Sequence, residues 1–189
     1  FPYTTLFRSH LVNQLLTLAR AEPESVMAQD RQRFDLHRMA QTLTAEWVPR
    51  ALKAHIDLGM DELTTQAVWV HANELLIREA LTNLIDNALH YAGAGSQVTV
   101  RVQPAPLTPE HLNAPMAVLE VIDNGPGIPA GDKDRVFERF VRATDAGNGC
   151  GLGLAIVKEI VERHAGQVEL ADAHPGLCVR VRLPMASNT

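Results

Sequence analysis

Cysteine is scarce in this chain, basic charge is not in excess, and no long apolar run is present. The 189 residues hold two cysteines, Cys150 and Cys178. That is too few for a disulfide framework and points to a reducing compartment. Seventeen Lys and Arg stand against 22 Asp and Glu, for a net charge of −5. With no basic surplus to neutralise phosphates, the composition argues against general nucleic-acid binding. Nothing approaches the roughly 18 apolar residues a membrane span needs, and no charged-then-apolar leader opens the chain. An initiating methionine is also lacking: the first residue is Phe1, so the chain reads as a fragment, a processed product or an engineered piece. What is present is a globular composition, 46% apolar and 21% charged, which excludes wholesale disorder. The length suits one domain plus roughly forty further residues.

The pattern along the chain divides it. Residues 1–9 (FPYTTLFRS) carry no stripe and read as an assembly scar. Residues 10–23 place Leu11, Leu15 and Leu18 on one helical face. Residues 24–33 are polar and read as a linker, and a second unit is expected over residues 34–186. Within it a stripe through Leu36, Met39, Leu43, Trp47 and Leu52 predicts a helix over 34–52. Short strands are expected near 56–58 and 67–70, a long helix over 73–91, and strands over 98–102 and 118–122. A Pro-containing loop spans 104–115, a helix is expected over 153–164, and the end alternates, with Val179, Val181 and Leu183 opposite Arg180 and Arg182. This order is not the regular alternation of a doubly wound sheet; it predicts an α+β sandwich with helices on one face of a mixed sheet.

Four segments carry chemistry. On the helix over 73–91, Ile77, Ala80, Leu81, Leu84, Ile85 and Ala88 form an apolar arc. Glu79, Asn83, Asp86, Asn87 and His90 fall opposite, with Glu79, Asn83 and Asn87 in line at i, i+4 and i+8. Carboxamide oxygens suit a Mg²⁺ that also holds phosphates, although taken alone the run fits a solvated face better. In VLEVIDNGPGIP, a strand ends in Asp123, and Gly125 and Gly127 allow backbone to approach a flat ligand. The carboxylate could accept the amino hydrogens of a purine; a plain turn is the competing reading. In GNGCGLGLAIVKEI, alternating glycines open a helix, which by geometry and dipole makes a phosphate site, or else a flexible hinge. Between these lies DRVFERFVRATDAGN, where Phe137 and Phe140 read as apolar anchors and Arg135, Arg139 and Arg142 as cations able to reach terminal phosphates. Residues 130–150 thus read as a lid, or else as an exposed basic stretch.

The order of these segments resembles the catalytic, ATP-binding domain of bacterial sensor histidine kinases, within the gyrase, heat-shock chaperone and mismatch-repair ATPase superfamily. Residues 79–91 resemble its N box, 123–127 its G1 box, 137–140 its F box and 149–154 its G2 box. Residues 10–22 resemble the second helix of the dimerisation and phosphotransfer domain. The resemblance implies a two-layer α/β sandwich of the Bergerat type, with a mainly antiparallel sheet and ATP and Mg²⁺ as cofactors. By position, Asn87 would coordinate Mg²⁺ and Asn83 would support the metal or phosphates. Tyr91 would pack near the adenine or ribose, and His90 near the phosphates. Asp123 would bind the adenine amine, with Gly125, Gly127 and Ile128 lining the base pocket. Arg139 or Arg142 would reach the γ-phosphate, beside Phe140, and Gly149, Gly151, Leu152, Gly153 and Leu154 would wrap the triphosphate. Glu79 would be the N-box acid. Implied partners are the chain's own dimerisation and phosphotransfer domain, a response regulator and a second copy in a homodimer. The intact protein would be anchored in the inner membrane with this part on the cytoplasmic side.

Two departures stand out. Cys150 replaces the usual Ser or Thr among the G2 glycines, a weaker donor. No His-Glu-x-x-x-Pro acceptor pattern exists, and the other histidines read as surface or packing residues. The chain is therefore expected to bind ATP without phosphorylating itself. Alternatives are another ATPase of the superfamily, an anti-sigma serine kinase, or a dimerising module that no longer uses ATP. A dehydrogenase is excluded, since no strand is followed by GxGxxG.

Overall fold

Valine alternating with polar residues produces two long strands that flank a third, mostly apolar one at the centre of the protein. The computed structural model describes residues 31–61, 66–106, 115–129, 131–133, 135–141 and 151–186. The expected scar, the helix at 10–23 and the linker up to residue 30 lie outside these residues. The elements are β1 (Gln32–Asp35), α1 (Leu36–Lys53), β2 (Asp57–Met60), β3 (Trp69–Ala72), α2 (Glu74–Tyr91), β4 (Gln97–Pro104), β5 (Met116–Asp123), α3 (Gly153–Arg163), β6 (Gln167–Asp172) and β7 (Leu177–Pro184). One sheet of five strands has the order β2-β4-β5-β7-β6, parallel only between β2 and β4. The expected mixed, mainly antiparallel sheet with helices on one face is thus the observed fold.

The strands expected at 56–58 and 67–70 form slightly later, as β2 and β3. A larger correction concerns β1, which occupies the end of the expected linker and pairs antiparallel with β3. One buried side chain, Phe34, is its whole contribution to the core, too little periodicity to read in advance. Its last residue caps α1: Asp35 Oδ1 accepts from the N–H groups of His37 (3.0 Å) and Arg38 (3.4 Å), and from Val68 (3.1 Å). One carboxylate thereby joins ribbon and helix.

Directly paired residues share a face, and the register separates the two faces cleanly. Val98, Val100 and Val102 of β4 pair with Asp123, Val121 and Leu119 of β5, and Leu119 with Val181 of β7. This face is packed under Ile77, Leu81, Leu84 and Ile85 of α2 and Ile156, Val157 and Ile160 of α3. The other face carries a ladder of charges. Arg101 binds Asp61 (2.7 Å) and Glu120 (3.3 Å); Arg180 binds Glu120 (2.6 Å) and Glu169 (3.1 Å); Arg182 binds Glu169 (2.9 Å). Glu120, on the central strand, is only 2% exposed and is held by two guanidiniums. Beside it Cys178 is a buried free thiol, pushed up to about 11 by burial first and then by the Glu120 charge. It stays protonated and unreactive at neutral pH.

Helices α2 and α3 are tied end to end. At the C-terminus of α3, His164 Nδ1 donates to the Ile160 carbonyl at 2.7 Å, while its Nε2 accepts the N–H of Asn73, the residue capping α2, at 3.1 Å. Accepting at Nε2 requires a neutral ring. Burial is the main force holding His164 below the usual histidine range; the Ile160 hydrogen bond opposes it, and Arg31 and Arg163 add to it.

Because the folded-state value of His164 is depressed, its contribution is complete above the unfolded value of about 6.5 and is lost as pH falls through it. Thermal melts between neutral and acidic pH should show a fall in Tm that His164→Gln makes shallower; parallel slopes would contradict the assignment. Glu120→Ala leaves Arg101 and Arg180 without their shared acid and is expected to cost about 2 kcal/mol in denaturant unfolding. Arg182→Ala, at the open end of the ladder, should cost under about 1 kcal/mol.

Candidate functional site

Helix α2 forms as the sequence predicts. Asn73 caps it, its side chain accepting from the Leu76 N–H at 3.1 Å, and the apolar arc from Ile77 to Ala88 is buried. The opposite arc is not uniformly solvated. Asp86 pairs with Arg50 of α1 at 2.7 Å, but Asn83 is only 4% exposed. Its Nδ2 donates to the Glu79 carbonyl (2.9 Å) and to Glu79 Oε1 (3.3 Å). The solvated-face reading therefore fails for Asn83, and Glu79 serves as its partner.

Two backbone segments converge on the C-terminal half of this helix. Gly153, the first residue of α3, lies against Asn87: a Cβ added there would sit 2.9 Å from Asn87 Nδ2 and 3.1 Å from Oδ1. No side chain caps α3 at Leu152, so the first-turn N–H groups of α3 are left to other acceptors beside the Asn87 carboxamide. From the other side Gly125 reaches the end of α2, where a Cβ would be 2.6 Å from Ala92 Cα. The start of α3 thus approaches α2 at Asn87, and the turn after β5 approaches it at Ala92.

Asp123 ends β5 on the helix-covered face, paired with Val98, which explains why a carboxylate is only 8% exposed. Its Oδ1 accepts the Gly125 N–H at 2.9 Å. Burial raises its pKa above the usual carboxylate range, and hydrogen bonds from the backbone of Gly125 and Leu177 oppose this. Ile128 and Gly127 follow in the same turn, part-buried. Tyr91 and His90 close the end of α2, exposed, with their rings edge to face at 4.7 Å.

The segment before α3 differs from expectation. Phe140 is no anchor: it is 69% exposed, with φ of 66°. The buried side chain is Val136, while Phe137 is half-buried, with the Lys158 ammonium 5.9 Å from its ring centroid. A lone valine beside two phenylalanines gave no periodic signal by which to choose it. Arg139 lies 3.9 Å from Glu159 on α3. The chain returns at Gly151, whose carbonyl accepts the Phe140 N–H at 2.9 Å. Leu152 is buried in the core, so only its backbone is available to a ligand; Leu154 packs partly against the same core. Arg142, Gly149 and Cys150 lie outside the described residues.

A helix-covered mixed sheet, an asparagine helix, an acidic strand end and a glycine-led helix together define a class of nucleotide-binding domain. Residues 72–187 match the family of histidine kinase-, DNA gyrase B- and HSP90-like ATPases, and the chain belongs to that family. It carries an ATP-binding domain of the type found in sensor histidine kinases. Sensor protein kinase PmrB of Pseudomonas aeruginosa is 37% identical over 180 residues, covering 93% of this chain and 35% of that protein. Sensor histidine kinase RppB of Synechocystis is 33% identical over 184 residues, covering 95% and 38%. The chain therefore spans little more than a third of either relative. Among solved structures, the mycobacterial sensor histidine kinase MprB is 28% identical with a TM-score of 0.64, covering 82% of this chain and 97% of that one. The nucleotide-free catalytic domain of histidine kinase ThkA shares the fold, with a TM-score of 0.69 at 21% identity, over 82% of this chain and 95% of that one.

The close approach at Gly153 gives a direct test. Gly153→Val would displace the Asn87 carboxamide and is expected to weaken ATP binding about tenfold, a loss of about 1.4 kcal/mol. Gly59→Ala, where nothing lies within 4 Å of the added carbon, should bind like the wild type in the same calorimetric titration.

Proposed function

We propose that this chain binds ATP together with Mg²⁺ and donates the γ-phosphoryl group to a histidine on a separate acceptor helix. The observation that carries this reading is the meeting of Asn87 with the uncapped start of α3 across Gly153. Phosphoryl transfer is largely positioning and charge neutralisation, and each residue has a part in that. Asp123 accepts the adenine amine, between Gly125, Gly127 and Ile128. Tyr91 covers the base or ribose, and His90 stands near the phosphates. The backbone of Gly149, Gly151, Leu152, Gly153 and Leu154 wraps the triphosphate, beside Phe140. Arg139 or Arg142 neutralises the γ-phosphate. Glu79 and Asn83 support the phosphate end.

Among the described residues no three His, Cys, Asp or Glu side chains cluster to hold a metal. That suits Mg²⁺, which keeps water and phosphate oxygens and takes few protein ligands; Asn87 offers it one neutral oxygen. When bound, the ion neutralises charge that develops on the phosphates. No described helix is long and apolar enough to cross a membrane. The wider reading is a homodimeric sensor kinase with its catalytic part on the cytoplasmic side of the inner membrane, signalling to a response regulator. Its sensor-kinase part is supported by the names of the relatives; the dimer, the membrane and the regulator are what the motif resemblance implies.

The test is a titration with ATP and a non-hydrolysable analogue, with and without Mg²⁺. Binding should strengthen with Mg²⁺, and Asn87→Ala should lose that gain; Asp123→Ala should lose at least about tenfold in affinity. A supplied acceptor helix should then become labelled on histidine. Absence of binding at millimolar ATP would remove the kinase reading and favour a non-catalytic module. The raised pKa of Asp123 adds that purine affinity should fall on acidification before an ordinary carboxylate would titrate.

A further inference from the structure

Helices α2 and α3 touch at both ends. At one end Gly153, where α3 begins, lies against the Asn87 carboxamide; at the other, His164 Nε2 accepts the Asn73 N–H at 3.1 Å. At 1.5 Å per residue the two contacts lie about 20 Å apart along α2 and about 16 Å apart along α3. The His164 end is also where the chain enters the domain. Arg31, the first described residue, donates from Nη2 to the Arg163 carbonyl at 2.6 Å, at the C-terminus of α3. Gln32 Nε2 donates to Glu74 Oε2, in the first turn of α2, at 3.1 Å. Gln32 also pairs with Ala72 in the ribbon, just before the cap residue Asn73. Two successive residues thus hold the two helices, one each. The arginine suits its place twice over. A cation complements the carbonyl end of a helix, and its charge acts with burial to keep His164 neutral, the form whose Nε2 accepts.

We infer that Arg31 and Gln32 form a seat that fastens the segment leading into the domain across the α2–α3 joint, and that this docking and nucleotide binding favour each other. Both act on one degree of freedom, the movement of α3 against α2. Phosphates held between Asn87 and the first-turn N–H groups of α3 would clamp the pair at one end, and the seat clamps it at the other. Whichever forms first removes freedom that the second would otherwise have to remove, so the second forms more readily. The coupling is reciprocal: a seat that raises nucleotide affinity by some factor is strengthened by nucleotide by the same factor. Each seat contact is exposed and weak taken singly; its effect lies in joining two helices. A displacement of the segment before residue 31 therefore reaches the phosphate end of the site without touching it. This inference rests on reading the Asn87–Gly153 end as the phosphate site.

The experiment titrates the whole chain with ATP and Mg²⁺ as wild type, Arg31→Ala/Gln32→Ala, Arg31→Lys and Asn87→Ala, and follows hydrogen exchange at the Asn73 amide. The double variant should bind ATP about fivefold more weakly, and Arg31→Lys, which keeps a cationic donor, should retain wild-type affinity. ATP should increase the protection of the Asn73 amide in the wild type, and increase it less in the double variant. A double variant that melts earlier yet binds ATP as tightly as the wild type shows a seat that is structural only, and overturns the coupling. So does a wild-type Asn73 amide whose protection ATP leaves unchanged. If Asn87→Ala binds ATP like the wild type, the phosphate site is misplaced, and the reading beneath this inference falls first and takes it along. Should the double variant not fold, the exchange measurement on the wild type decides alone.

Discussion

The site depends on how closely two stretches of backbone come to the last two turns of α2. At Gly125 the chain touches Ala92 with no space for a side chain, and at Gly153 it touches the Asn87 carboxamide. At the first of these contacts α2 ends in a small residue, Ala92, which is itself buried. Put a larger residue at either glycine and the strand-end acid, the asparagine and the start of α3 separate. They belong to three elements far apart in sequence.

The rest of the molecule makes that convergence rigid. The valine face of β4 and β5 fixes the height of Asp123, and the ladder from Asp61 to Arg182 binds the same strands on the opposite face. Individually such partly exposed pairs contribute little. Arranged around the buried Glu120 they also satisfy an acid that would otherwise be costly on a central strand. At the far end of the helices, the neutral ring of His164 joins α3 to the cap of α2.

How far these features could be read beforehand depended on periodicity. The buried arc of α2 and the alternation in β7 repeat over many residues, so their faces were legible. The ribbon strand β1 has a single buried residue, too little to mark a strand across the expected boundary between linker and second unit. Asn83 was legible as part of a polar line but not as buried, because its environment is set by Glu79 and by neighbouring elements. The motif order names candidate members of the site, yet Phe140, which reads as an anchor, is exposed where Val136 packs. The hold of Leu177 on Asp123 was invisible, since a backbone donor leaves no mark in residue type; only the Pro-Gly pair at 175–176 hinted at a tight turn.

Both tryptophans of the chain sit under arginines. Arg33 stacks over Trp69 at 4.6 Å and Arg50 over Trp47 at 4.7 Å. Trp69 belongs to the small ribbon and Trp47 to α1, and neither is among the residues that build the site. Intrinsic fluorescence of this protein is consequently a gauge of whether the ribbon and first helix are docked, with the two guanidiniums modulating its intensity. An optical signal for ligand occupancy has to be introduced, and the exposed Tyr91 position at the end of α2 is the natural place to put it.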